Sequence, residues 1–174
     1  AYYRESDPKR LEQLDTIFKQ VAASLDWLEE YTGIKYPFAK YDLIMLPGFQ
    51  YGGMEHTGAT LYNDSQMFLG ENPTLDEELR RMQLIAHETA HMWFGDYVTT
   101  ESWSNLTLNE SFANYSEYLW QEYKFGKDAA DAHHGRRLSG QHLVALERDE
   151  GRAEEHRRCA ELVGDHRVGV LPTR

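Results

Sequence analysis

The stretch LIAHETAHMWFG, residues 84–95, places His87 and His91 four residues apart, with Glu88 directly after the first imidazole. On a helix, two such rings are offset by about 40° around the axis and about 6 Å along it, close enough to share one ion. Glu88 then projects about 100° from His87, beside the ion, where a carboxylate serves better as a base than as a ligand. A hydrolytic metal site needs a third protein ligand and an open position. Glu110 offers that ligand after 18 intervening residues, within LTLNESFANY. The continuation with Gly at 94 and His at 97 is excluded, because those positions hold Phe94 and Tyr97. The single cysteine, Cys159, leaves no thiolate cluster, so a metal must be held by imidazole and carboxylate. Two neutral imidazoles and one carboxylate leave a divalent site about +1 in charge, and zinc is the expected ion. Next to such a charge the pKa of a water falls to about 7, so Glu88 can take its proton and pass it to a leaving amine. That chemistry is amide hydrolysis. The competing reading is a pair of satisfied core histidines on a buried helix.

For this chemistry two helices must meet. Thr74-Leu75-Asp76-Glu77 has the pattern of a capping box, and it opens a helix whose Leu79, Met82, Ile85, Ala86 and Ala90 face inward until Gly95. A second helix is expected from about Asn105 through Leu108, Phe112, Tyr115 and Leu119 toward Gly126. Upstream, Asp7-Pro8 starts a long helix that stops near Gly33, with Leu11, Leu14, Phe18, Val21, Leu25 and Leu28 forming one apolar stripe. YDLIMLP (41–47) and GATLYND read as strands around the glycine-bearing turn FQYGGMEH, and YVTTES (97–102) as a strand or extended loop. The expected class is α+β, a small sheet followed by the ligand-bearing helices.

HETAH, Glu110 in NESFA, and GGMEH at 52–56 together resemble the zinc aminopeptidases of the aminopeptidase N family, gluzincins with a thermolysin-like catalytic domain, over roughly residues 1–125. The resemblance implies that His87, His91 and Glu110 hold one Zn²⁺ and that Glu88 is the general base. It implies that Glu55 holds the free α-ammonium of a peptide substrate, while Gly52, Gly53 and Met54 align its backbone. Glu55 suits that role physically, since main chain at two glycines can approach a ligand closely and an anion there selects a cationic N-terminus. The chain departs from the family pattern in three places. His56 stands where the family has Asn, and Ser111 replaces a glycine beside the third ligand. The family's oxyanion-stabilising tyrosine lies several tens of residues after the third ligand, whereas the last tyrosine here is Tyr123. The resemblance also implies a β-rich domain before the catalytic one and a helical domain after it in the full-length protein.

Composition narrows the partners. The formal charge of -11 argues against a nucleic-acid backbone, which needs a basic face. No apolar run approaches the roughly 18 residues of a bilayer span and no leader-like segment opens the chain, so a soluble protein of open compartment is expected. All of the 4 Trp, 11 Tyr and 7 Phe lie at or before Phe125, and the net charge falls entirely on residues 1–125. The expected division is therefore a partial catalytic domain at 1–125 and an atypical, aromatic-free segment at 126–174 that is either helical or foreign to the body. Within it, adjacent His133 and His134 would point about 100° apart on a helix and make a poor ion site, and EEHRRCAE (154–161) reads as a charged helical face. Two alternatives to an aminopeptidase stay open: a zinc-binding but inert piece, and a thermolysin-like endopeptidase, which would have no use for an anion at Glu55.

Overall fold

Asp7 accepts a hydrogen bond from the Lys9 amide and Pro8 takes the first helical position, starting α1 (Pro8–Leu11). The continuous helix expected as far as Gly33 is divided there, and α2 runs over Leu14–Thr32 before Gly33 ends it in the left-handed conformation at φ 69°. Gln13 anchors this junction. Its side chain donates to the Leu69 carbonyl at 2.9 Å and accepts from the Leu69 amide at 3.1 Å and from Arg81 Nη1 at 2.8 Å, tying the junction to a distant segment. The apolar stripe is also narrower than expected, because Ile17 takes the buried position and its neighbour Phe18 is left exposed.

The computed structural model describes residues 1–138. Three strands follow α2: β1 (Asp42–Leu46), β2 (Gly53–Met54) and β3 (Ala59–Asn63), in the order β1-β3-β2. β1 runs parallel to β3, from Asp42 opposite Ala59 to Leu46 opposite Asn63. β2 forms inside the connection between them and pairs antiparallel with the far side of β3, Gly53 opposite Tyr62, so it is the sheet edge. Leu43, Met45, Thr60 and Tyr62 alternate inward along the strands, as period-two side chains must. Asn63 then caps the short α3 (Asp64–Met67) through the Ser65 amide.

α4 (Leu75–Ala90) opens on the expected capping box, with Thr74 and Glu77 bonding reciprocally. Residues 97–102 form no strand; Val98 makes only an isolated bridge to Phe94. The next helix also begins later than its periodicity suggests, since Trp103–Leu108 is a 3₁₀ turn and α5 runs over Glu110–Phe125. α6 (Lys127–Leu138) packs back on α5, where Tyr118 donates to Asp131 Oδ1 at 2.7 Å and Ala130 joins the core. The 154–161 segment and Cys159 lie outside the described residues, and the side chains of His133 and His134 are likewise outside them.

Two apolar clusters hold these elements. Ile17, Val21, Leu43, Met45, Tyr62 and Ile85 join α2 and the sheet to α4. Trp27, Ala86, Ala90, Trp93, Ala113 and Trp120 join α2 and α4 to α5 and set α4 and α5 side by side. The fold is α+β. No helix among the described residues is long and apolar enough to cross a membrane.

Candidate metal centre and cleft

The last turns of α4 drive into the core through Ile85, Ala86 and Ala90, which carries the polar residues between them inward as well. His91 is fully buried at the helix C-cap, and His87 sits one turn before it, with their Nε2 atoms 3.1 Å apart. Glu110 is the first residue of α5, and that helix start points at the pair: its Oε2 lies 3.4 Å from His87 Nε2 and 3.8 Å from His91 Nε2. Zinc bonds of about 2.0–2.1 Å in a tetrahedron require ligand atoms roughly 3.3 Å apart, so these three separations fit one small divalent ion. Glu55, Glu88 and His91 form a second grouping of metal-ligand type. There, however, the His91 nitrogen facing Glu55 is already committed.

That commitment fixes the ring. His91 Nδ1 lies 3.1 Å from the Phe94 carbonyl oxygen, which can only accept, so the proton sits on Nδ1 and a bare Nε2 turns toward Glu110. His87 is oriented by a carboxylate instead, Glu117 Oε1, at 2.8 Å from its Nδ1. Burial opposes a charge on His87, but Glu110 and Glu117 outweigh it and push its pKa up to about 10. Burial, then the neighbouring His87 charge, holds His91 below the usual histidine range. The hydrogen bond from His87 in turn holds Glu110 below the usual carboxylate range. A metal ion bound there would compete with a proton for His87 Nε2.

Glu88 occupies the space between α4 and the sheet edge. It is only 4% exposed, and its Oε2 has no hydrogen-bond partner. Burial pushes its pKa up to about 8, with the charges of Glu55, Glu110 and Glu117 adding and that of His87 opposing. The main chain at Gly53 lies so close to this carboxylate that a Cβ would collide with it, which is the physical reason a glycine suits that position. Beyond β2, Glu55 Oε1 reaches to 3.9 Å from His91 Nδ1.

His87, Glu88, Glu110, Glu117 and Glu55 open on one cleft of about 770 Å³, walled by the segment from Tyr51 to Glu55 on one side, α4 on another and the start of α5 on the third, with His91 buried behind them. Of the residues singled out in the sequence, His87, Glu88, Glu110, Gly52, Gly53, Met54 and Glu55 line it, and His91 joins His87 and Glu110 from the buried side. His56 does not; it is exposed, and its carbonyl accepts from the Ala59 amide in the turn to β3. Sequence reasoning overlooked Glu117, although a spacing of seven from Glu110 puts both on one face of a helix. It likewise passed over Arg80, seven residues before His87, and Asp76 beside it, both on the cleft wall.

Comparison with known proteins finds aminopeptidases among the relatives of this chain. The chain is 42% identical over 120 residues, 69% of its length, to an Aminopeptidase N of Streptomyces lividans, and the match covers 14% of that protein. It is 39% identical over 113 residues, 64% of its length, to Endoplasmic reticulum aminopeptidase 1 of Homo sapiens, covering 12% of that protein. With Probable aminopeptidase 2 of Sulfurisphaera tokodaii it shares 38% identity over 106 residues, 58% of the chain and 14% of the relative. The chain thus spans a small part of the length of these relatives. The family model described as Peptidase family M1 domain matches residues 17–161, and the chain belongs to that family.

Proposed function

We propose that the chain is the catalytic part of a zinc-dependent aminopeptidase, in which His87, His91 and Glu110 hold the ion, Glu88 is the general base and Glu55 binds the free amine of a peptide. The observation that carries this reading is the approach of three donor atoms from two helices to tetrahedral spacing, beside a buried carboxylate with an unbonded oxygen. When bound, zinc supplies polarisation of the scissile carbonyl and acidification of water. The residues of the chain do the rest. Glu88 takes a proton from the attacking water at Oε2 and hands it to the departing amine, and its desolvation makes it a stronger base than an exposed glutamate. Glu117 and the Phe94 carbonyl keep the two imidazoles turned to the centre. The unpaired edge of β2 presents main-chain groups along which a peptide can extend, and Glu55 marks where its ammonium stops.

A second reading, a zinc-binding but inert piece, is favoured by the position of Tyr123. That last tyrosine is exposed, and its ring lies 6.4 Å from Trp27 rather than at the cleft. Zinc stoichiometry and hydrolysis of an aminoacyl fluorophore, measured in the wild type and in Glu88→Gln, separate the two. The aminopeptidase reading expects one zinc in both proteins, turnover about 10²- to 10⁴-fold lower in the variant, and an N-acetylated substrate cleaved about ten- to a hundredfold more slowly than the free amine. Zinc without turnover in the wild type selects the inert piece. Cleavage of blocked internal peptides alone selects an endopeptidase.

A further inference from the structure

The cleft continues past the candidate metal centre toward the start of α4, and its chemistry changes there. Contacts between the sheet edge and the helix set its direction. A Cβ at Gly52 would lie 3.1 Å from Leu84 Cδ1, Gly53 abuts the Glu88 carboxylate, and Glu55 Oε1 is 3.9 Å from His91 Nδ1. Residues 52–55 therefore run the same way as α4. A peptide that pairs antiparallel with this edge, its ammonium at Glu55, runs back along the helix from His91 toward Gln83 and Arg80. Arg80 precedes His87 by seven residues, two turns and about 10.5 Å along the axis, so it shares the face of His87. An extended peptide advances about 3.3 Å per residue, which sets the guanidinium beside the second and third residues beyond the cleaved bond.

Charge singles Arg80 out. Among the described residues that wall the cleft, it is the one permanently cationic side chain, against the carboxylates of Glu55, Asp76, Glu88, Glu110 and Glu117. Asp76, one turn earlier on α4, is bonded to its Nη2 and steadies it at the wall. A guanidinium has five N–H donors in a rigid fork, so one acceptor leaves the others for a ligand. The exposed ring of Tyr51 belongs to the same wall at the end of the β2 segment.

We propose that Arg80 is a specificity-determining residue that binds a carboxylate two or three residues beyond the cleaved bond, either an acidic side chain or the C-terminus of a short peptide. The assignment rests on the aminopeptidase reading, which sets the direction of the peptide. Because Asp76 shares the guanidinium and the pair is solvated, the preference is graded, about five- to tenfold.

The test is calorimetric titration of the zinc-loaded chain with phosphinic tetrapeptide analogues that cannot be turned over. One carries Glu two residues beyond the phosphinic group with an amidated C-terminus, one carries Gln there with the same amide, and one carries Gln with a free C-terminal carboxylate. Either acidic analogue should bind about five- to tenfold more tightly than the neutral one, and the tighter of the two identifies the source of the carboxylate. Arg80→Gln should erase the difference while leaving the neutral analogue unchanged, and Arg80→Lys should keep part of it. Equal affinity for all three analogues in the wild type overturns the role of Arg80 and leaves the peptidase reading standing, as does a preference that survives in Arg80→Gln. Failure of the zinc-loaded wild type to bind any of them overturns the peptidase reading and Arg80 with it.

Discussion

In the proposed metal centre His87 meets a cation with one nitrogen and is held still by the other, which lies 2.8 Å from Glu117 Oε1. A carboxylate on Nδ1 fixes the tautomer and makes Nε2 a better donor to a metal, so its charge matters as well as its shape. Glu117→Gln keeps a hydrogen-bond acceptor and removes the charge. Zinc affinity, measured by competition with a chromophoric chelator, should fall about tenfold with helix content unchanged. An affinity equal to that of the wild type would reduce Glu117 to packing. At this scale much of the site can be read from spacing: His87 and His91 at four residues, and Glu117 at seven from Glu110, are helical neighbours wherever the helices lie. The pairing of Glu110 with the two histidines across 18 residues cannot be read that way, because its distance from them depends on how the 3₁₀ turn at 103–108 delivers the chain to α5.

At the scale of elements, the phase of α4 sets the direction of both His87 and Arg80, and the capping box controls where α4 begins. Thr74 accepts from the Glu77 amide, and Glu77 accepts in return from the Thr74 amide and hydroxyl. Thr74→Ala removes one side of this exchange and should cost about 1 kcal/mol of stability. Urea unfolding is the measurement, and a midpoint equal to that of the wild type would mean that the α2 and α5 contacts alone hold the helix start. The cap was legible because it is local. The division between α1 and α2 was not, since nothing within a turn of Gln13 shows that its amide is claimed by Leu69 and Arg81. The same limit applies to residues 97–102, whose β-branched composition suits a strand but which find only the single bridge at Val98.

At the scale of the whole molecule, burying an acidic side chain has a cost in folding that pH exposes. Asp96 shows it: burial pushes its pKa from 3.8 up to about 7, with a hydrogen bond with Thr57 opposing and the negative charge of Glu55 adding, and its Oδ2 has no partner. The folded state thus favours the protonated acid. Its contribution to stability is complete below pH 3.8, is lost progressively as pH rises to about 7, and stays lost above that. Asp96→Asn cannot ionise, so its melting temperature relative to the wild type should climb between pH 4 and 7 and then level off; a difference that does not vary with pH would contradict the raised value. Such coupling belongs to the assembled structure, as does the parallel pairing of β1 with β3 around an inserted edge strand. Helix periodicity and a few short motifs are relations over four to seven residues, governed by backbone geometry, and they were enough to identify the histidine-bearing helix, its cap and the family pattern. The meeting of Glu110 with His87 and His91, the wedging of Glu88 against Gly53 and the opening of Arg80 onto the same cleft are contacts between distant segments. They depend on which apolar faces pack together, and that is settled only when Trp93, Trp120 and Ile85 close the core.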